Sequence, residues 1–214
     1  EVGMSHLGSR ILYHVLNQRK DTYCERVYAP WPDMEKLMRE NNIPLYALET
    51  KDPINEFNFL AFTLQYEMSY TNILNMLNMG GIPLRASERT EKDPLVIAGG
   101  PCAYNPEPLY DIVDIFQLGE GEEGLNDLLD LYQKHKDNFN KEAYLREASH
   151  IPSVYIPSLY DVTYNEDGTI KEFIPKYDDV PKKVKKRIIN NFDQVDFPES
   201  LIVPYSEIVH DRVV

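Results

Sequence analysis

Only two cysteines, Cys24 and Cys102, occur in 214 residues. That is too few for a disulfide framework or a cysteine zinc site, and it points to a reducing cytoplasm. No apolar run approaches the roughly 18 residues of a membrane span, and no signal peptide is visible, so no membrane partner is expected. Positive charge is scarce. Lys+Arg 22 against Asp+Glu 35 give a formal net charge of −13 and a pI near 4.8. An acidic chain opposes a nucleic-acid surface, because phosphate binding needs a basic face. The five histidines are scattered, with no metal-ligand spacing and no hydrolase triad, so no catalytic residue and no metal is expected here.

Glycine is also sparse, at ten residues, and seven of them fall between Gly80 and Gly124. Two apolar runs in that region end at glycines and then turn amphipathic: LVIAGGPCAYNPEP from Leu95 and DIFQLGEGEEGLNDLL from Asp114. Each reads as a buried parallel strand feeding a loop and then a helical segment. Residues 58–65 (NFLAFTLQ) are the best central strand, and short strands are expected at 26–29 and 45–48. Helices are expected from a cap at Ser5 to about Leu16, from Asp33 to Asn41-Asn42, from Ser69 to Gly80-Gly81, and after Gly121 as far as Lys134-His135-Lys136. Ile43-Pro44-Leu45 recurs as Ile82-Pro83-Leu84, each time just after a helix stop. Alternating strands and helices give an α/β fold with a doubly wound, mostly parallel sheet.

From Asn140 the character changes. A helix over residues 141–149 leads to an expected hairpin, 159–164 against 170–175, turning at Asn165–Gly168. The chain divides into an α/β domain over 1–150 and a β-hairpin appendage and linker over 151–214. It opens on Glu1 and stops in an apolar stretch, 207–214, that looks like a strand cut short. It reads as a piece of a longer protein.

In open α/β sheets, ligands sit at the carboxyl ends of the strands. The residues expected there are Thr63, Gln65 and Tyr66 after the central strand, Gly99, Gly100 and Pro101 after the next, and Gly119, Glu120 and Gly121 after the third. Two readings of Gly99-Gly100 stand side by side: a tight turn that needs φ > 0, or close approach of a flat ligand to bare backbone. Gly119-x-Gly121-x-x-Gly124 matches the dinucleotide fingerprint by letter. Yet Glu120, Glu122 and Glu123 crowd the helix start and would repel a diphosphate. The basic run Lys182–Arg187 is either a solvated or interdomain patch or, less in keeping with the chain's acidity, an RNA contact.

GGPCAYNPEP and DIFQLGEGEEGL, together with EVGMSHLGSRILYHVLN and FTLQYEMSYTNILNML, resemble the N-terminal, cobalamin-binding-like domain of uncharacterised radical SAM proteins. The resemblance runs over residues 1–136, with 151–214 similar to the connector before the radical SAM barrel. It implies a flavodoxin-like sheet and a domain that presents cobalamin or shapes a substrate entrance, without catalysing alone. The [4Fe–4S] cluster and S-adenosylmethionine would belong to a radical SAM domain beyond Val214, which would be the main partner. Relatives that ligate cobalt through histidine carry Asp-x-His-x-x-Gly, where this chain has Met4-Ser5-His6-Leu7-Gly8. Others bind cobalamin without that histidine, so the resemblance leaves a cobalamin open. The alternative is a stand-alone module with flavodoxin-like topology that binds a ligand or partner without a cofactor, its glycine loops being only turns. The resemblance also places a strand just ahead of Glu1, in a central slot. Upstream residues or another segment would have to fill that slot, and a slot left open counts against the flavodoxin-like assignment.

Overall fold

The computed structural model describes residues 6–191, 193 and 195–198. Three parallel strands form the centre of the fold: β1 (Phe59–Thr63), β2 (Leu95–Gly99) and β3 (Ile115–Gln117). The four-stranded sheet runs β1-β2-β3-β4, with β4 (Val154–Tyr155) antiparallel to β3. The helices are α1 (Leu7–Asn17), α2 (Pro32–Glu40), α3 (Tyr70–Met79), α4 (Gly121–His135) and α5 (Lys141–Ala148). A separate hairpin pairs β5 (Tyr160–Tyr164) with β6 (Ile170–Pro175). The chain is thus α/β, with a mostly parallel sheet and a small antiparallel hairpin near the C-terminus, as the sequence pattern predicts.

Side chains alternate across the strands and build two apolar layers. Leu60, Val96, Ala98 and Phe116 pack with Met38 of α2 and Ile73, Met76 and Leu77 of α3. On the other face, Leu95, Ile97 and Ile115 meet Leu125, Leu128 and Leu131 of α4 and Tyr144 and Leu145 of α5. Each such fully buried aliphatic side chain contributes about 1.5–3 kcal/mol. Because β2 is covered on both faces, it reads as an unbroken apolar run rather than an alternating one.

α1 lies beside α4 and runs parallel to it. Leu12 sits at Gly121, Arg19 donates to Asn126 and Asp130, and the Gln133 amide donates to the Asp21 carbonyl. The residues of α1 ahead of Leu12 therefore lie beyond the start of α4, by about 7.5 Å of helix rise.

Several expected features are corrected. The segment 26–29 is not a strand, and 45–48 contributes only a single bridge, Tyr46 to Pro53. The run 58–65 does form a strand, but at the edge of the sheet rather than its centre. Among the described residues nothing pairs with the outer edge of β1, where Ala61 and Thr63 are exposed. The slot that the resemblance places beside β1 is filled by none of the described residues. The physical reason is pairing: without a neighbour at β1, residues 26–29 have no ladder to join, and they are held by loop contacts such as Leu48 N–H to the Arg26 carbonyl. α2 starts at Pro32 with Trp31 before it, not at Asp33, and Leu37 faces outward. The stretch 207–214 lies outside the described residues.

The Ile-Pro-Leu echo is a shared way of ending a helix. Asn42 and Gly81 both take positive φ, 53° and 69°. The next N–H, from Ile43 or Ile82, then reaches back to the Met38 or Leu77 carbonyl. Both stops are of the Schellman kind, with an apolar residue following the left-handed one.

Tyr144 is fully buried within a cluster of Phe59, Tyr132 and Phe139, and its hydroxyl donates to the Leu128 carbonyl. Burial raises the pKa values of Tyr144 and Tyr155 well above the ordinary 10.0. A phenol whose folded-state pKa is raised stabilises the fold fully below its unfolded pKa and loses that contribution as pH rises. Stability should therefore fall from about pH 10 upward, and Tyr144→Phe should blunt the fall. Chemical denaturation across pH 8–12, alongside phenolate absorbance, measures this. A flat profile above pH 10 in the unsubstituted protein would exclude it.

Candidate functional site

The carboxyl ends of β1, β2 and β3 bring together most of the residues singled out in the sequence. Thr63 pairs in register with Gly99, and Gly99 with Gln117, so these three share one face. Gly99 leaves a flat place in the middle of that row. Its absent Cβ would meet the Gln117 carbonyl oxygen at 3.5 Å and the Gln117 Cβ at 3.8 Å, both ordinary contacts. Gln65 bends back over the strand end and donates from Nε2 to Thr63 Oγ1 at 2.8 Å. Tyr66 stands exposed beside it.

Gly100 serves a different purpose. It sits at φ 102°, ψ −178°, and a Cβ there would lie 3.0 Å from the Leu64 oxygen and 3.1 Å from the Leu64 nitrogen. The close approach lets Leu64 N–H donate to Gly99 O and Cys102 N–H donate to Leu64 O. Pro101 then starts a short 3-10 turn through Tyr104. Cys102 lies half-buried near Glu67 and Tyr70, and burial, reinforced by the Glu67 carboxylate, pushes its thiol pKa up. It is held as a neutral thiol, not a nucleophile.

The third loop is differently placed from the other two. Gly119 has φ 93°, and its Cβ position coincides with the backbone of Arg187, which bridges to it in parallel. Glu120 precedes α4 without a side-chain capping hydrogen bond, and Glu122 and Glu123 occupy the first turn. Gly124 allows the Gln117 side chain to lie against α4, where Gln117 Nε2 donates to Ser153 Oγ at 2.6 Å. Gln117 is buried, and its Oε1 has no partner, nor does Glu120 Oε2. Sequence reasoning missed Gln117. The available signal was a polar residue inside the apolar run that ends at Gly119.

His6, at the overhanging start of α1, is a cap. Its Nδ1 accepts from the Ser9 N–H at 3.1 Å and lies 2.8 Å from Ser9 Oγ, a function the sequence reading assigned to Ser5. Burial lowers its pKa and keeps the ring a neutral acceptor. Among the described residues there is no group of His, Cys, Asp and Glu side chains arranged to hold a metal ion, and no helix long and apolar enough to cross a membrane.

Comparison with known proteins bears on this edge. Over 85 residues the chain is 32% identical to an uncharacterized protein of Methanocaldococcus jannaschii, MJ0966. That match covers 39% of this chain and only 18% of the other protein's length. No solved structure matches. The family model for the N-terminal region of radical SAM proteins matches residues 8–157, which include α1, the whole four-stranded sheet and all three loops of its carboxyl edge. The chain belongs to the family of N-terminal domains of radical SAM proteins.

Proposed function

We propose that this domain acts as the accessory part of a radical SAM enzyme and presents a corrinoid at the carboxyl edge of its sheet. The observation that carries the reading is the row Thr63–Gly99–Gln117, flat at its centre and open beside Thr63. A broad, flat ligand needs such a floor. The residues therefore fit the group at the first two loops, while the third is covered by Arg187. A bound corrinoid would contribute its cobalt chemistry. Radical formation from S-adenosylmethionine at a [4Fe–4S] cluster would lie with the radical SAM domain. The protein's own residues would seat the ring: Thr63 and Gln65 at its margin, Gly99 and Gly100 beneath it, and Tyr66 as a wall. His6 is already committed to capping α1, which supports seating without a histidine on the metal.

Titration of the purified protein with hydroxocobalamin, followed by absorbance and by corrinoid retained after gel filtration, tests this. Gly99→Ala sharpens the test. At an ordinary contact distance and without positive φ, the added methyl should change stability by less than about 1 kcal/mol. It should nevertheless weaken corrinoid binding at least severalfold, because it fills the floor. If the unsubstituted protein retains no corrinoid, the reading fails, while the fold and family are unaffected.

A further inference from the structure

The basic run Lys182–Arg187 has no part in the reading above, yet it ends on the same edge. Val180 is buried in the layer beneath α4 and α5, and the Tyr160 hydroxyl donates to the Pro181 carbonyl at 2.6 Å. From that root the chain crosses to β3. There the Arg187 N–H donates to the Leu118 carbonyl at 2.9 Å, and Arg187 O receives the Glu120 N–H at 3.5 Å. The Arg187 guanidinium reaches α4, pairing with Glu123 Oε2 at 3.1 Å and with Asp127. Just beyond, Ile189 is buried. An arginine in the one concentrated basic stretch of an acidic chain has found the acidic first turns of α4.

This closure is incomplete. Among the described residues, the buried side-chain atoms left without a partner are Gln117 Oε1, Glu120 Oε2 and Arg187 Nε, and they cluster at or next to this junction. Arg89, elsewhere in the molecule, places a hydrogen bond on every one of its nitrogens. A junction that strands both donors and acceptors is held below its full strength. Its ion pairs also use carboxylates that are about half exposed, 57% for Glu123 and 44% for Asp127.

We infer that residues 181–187 form a releasable strap, latched by Arg187 on Glu123 and Asp127, that closes the third loop of the carboxyl edge against a ligand. Closed, it covers Gly119 so tightly that nothing else can lie on that loop. Open, it would free Gly119 and Glu120 to complete the floor begun by Thr63 and Gly99. Mutual exclusion between strap and ligand rests on the ligand reading of this edge. Release of the strap does not.

The test compares the unsubstituted chain with Glu123→Gln/Asp127→Asn, and with Arg187→Gln, which leaves both carboxylates in place. Hydrogen exchange over 118–121 and limited trypsin cleavage within 182–187 report release. Hydroxocobalamin titration reports the edge. Both variants should exchange and be cleaved roughly tenfold faster with an unchanged melt of the rest of the fold, and should bind hydroxocobalamin severalfold more tightly. Exchange and cleavage unchanged in both variants would overturn the strap whatever the corrinoid does. Faster exchange with equal corrinoid affinity would overturn it too, by removing the exclusion. Faster exchange with no corrinoid retained by any of the three proteins upholds the strap and fails the ligand reading alone.

Discussion

Asp114→Ala should destabilise the protein by about 3–5 kcal/mol, the cost of stranding buried charge. Asp114 lies at the amino end of β3, opposite the glycine-loop edge, with only 1% of its side chain exposed. Its Oδ2 accepts from Arg89 Nε at 3.1 Å and from the Val96 N–H at 2.9 Å, and its Oδ1 faces Lys141 Nζ at 2.9 Å. Arg89, with its side chain at 0% exposure, gives its remaining N–H groups to the Pro83, Leu84 and Ile112 carbonyls. Lys141 gives its own to the Ala86 and Arg89 carbonyls. Three ions thus hold β2, β3, the 83–89 loop and α5 together, with every donor of the two cations used. Removing the carboxylate leaves two cations buried side by side. Arg89→Met should cost less than Asp114→Ala, because Lys141 can still neutralise the remaining carboxylate. At about 2–4 °C per kcal/mol for a chain of this size, Asp114→Ala should lower Tm by roughly 10 °C. Urea denaturation at low and high salt checks both points. The loss should be insensitive to salt, unlike the exposed Arg146–Asp179 pair, whose removal should cost less than about 1 kcal/mol. A loss under 1 kcal/mol for Asp114→Ala would mean that the cluster is not closed to water.

None of that cluster was legible in the sequence. Arg89 stands in a polar stretch, Ser87-Glu88-Arg89-Thr90-Glu91-Lys92, that reads as loop, and its partners are 25 and 52 residues away. What was legible came from local chemistry. Glycines that end apolar runs located β2, β3 and the edge beyond them. The Asn42 and Gly81 stops showed themselves as a repeated tripeptide, because a left-handed residue followed by an apolar one is a local requirement. Elements that depend on a partner were not legible. Residues 26–29 have strand chemistry but no ladder to join, and β4 announces nothing in Ser153-Val154-Tyr155 that sets it antiparallel beside β3. The return of Arg187 to Gly119 joins residues 68 apart, and only the mismatch of a basic run in an acidic chain hinted at it.

Gly100→Ala should separate the two readings of the glycine pair, by failing where Gly99→Ala succeeds. At φ 102° and ψ −178° Gly100 occupies a region essentially closed to residues with a Cβ. The added carbon would meet the Leu64 backbone, its oxygen at 3.0 Å and its nitrogen at 3.1 Å, and neither can rotate away as a side-chain tip could. To relieve this, β1 and β2 must part at their ends, which breaks the Leu64 to Gly99 and Cys102 to Leu64 hydrogen bonds. Strain and lost bonds together should cost about 3 kcal/mol, visible as a lower urea midpoint with an unchanged slope. Gly100 is thus required by the turn itself, with or without a ligand, whereas Gly99 is under no such constraint. If Gly100→Ala proves as stable as Gly99→Ala, the strand ends are not locked together at Leu64, and the geometry that aligns Thr63 with Gly99 loses its support.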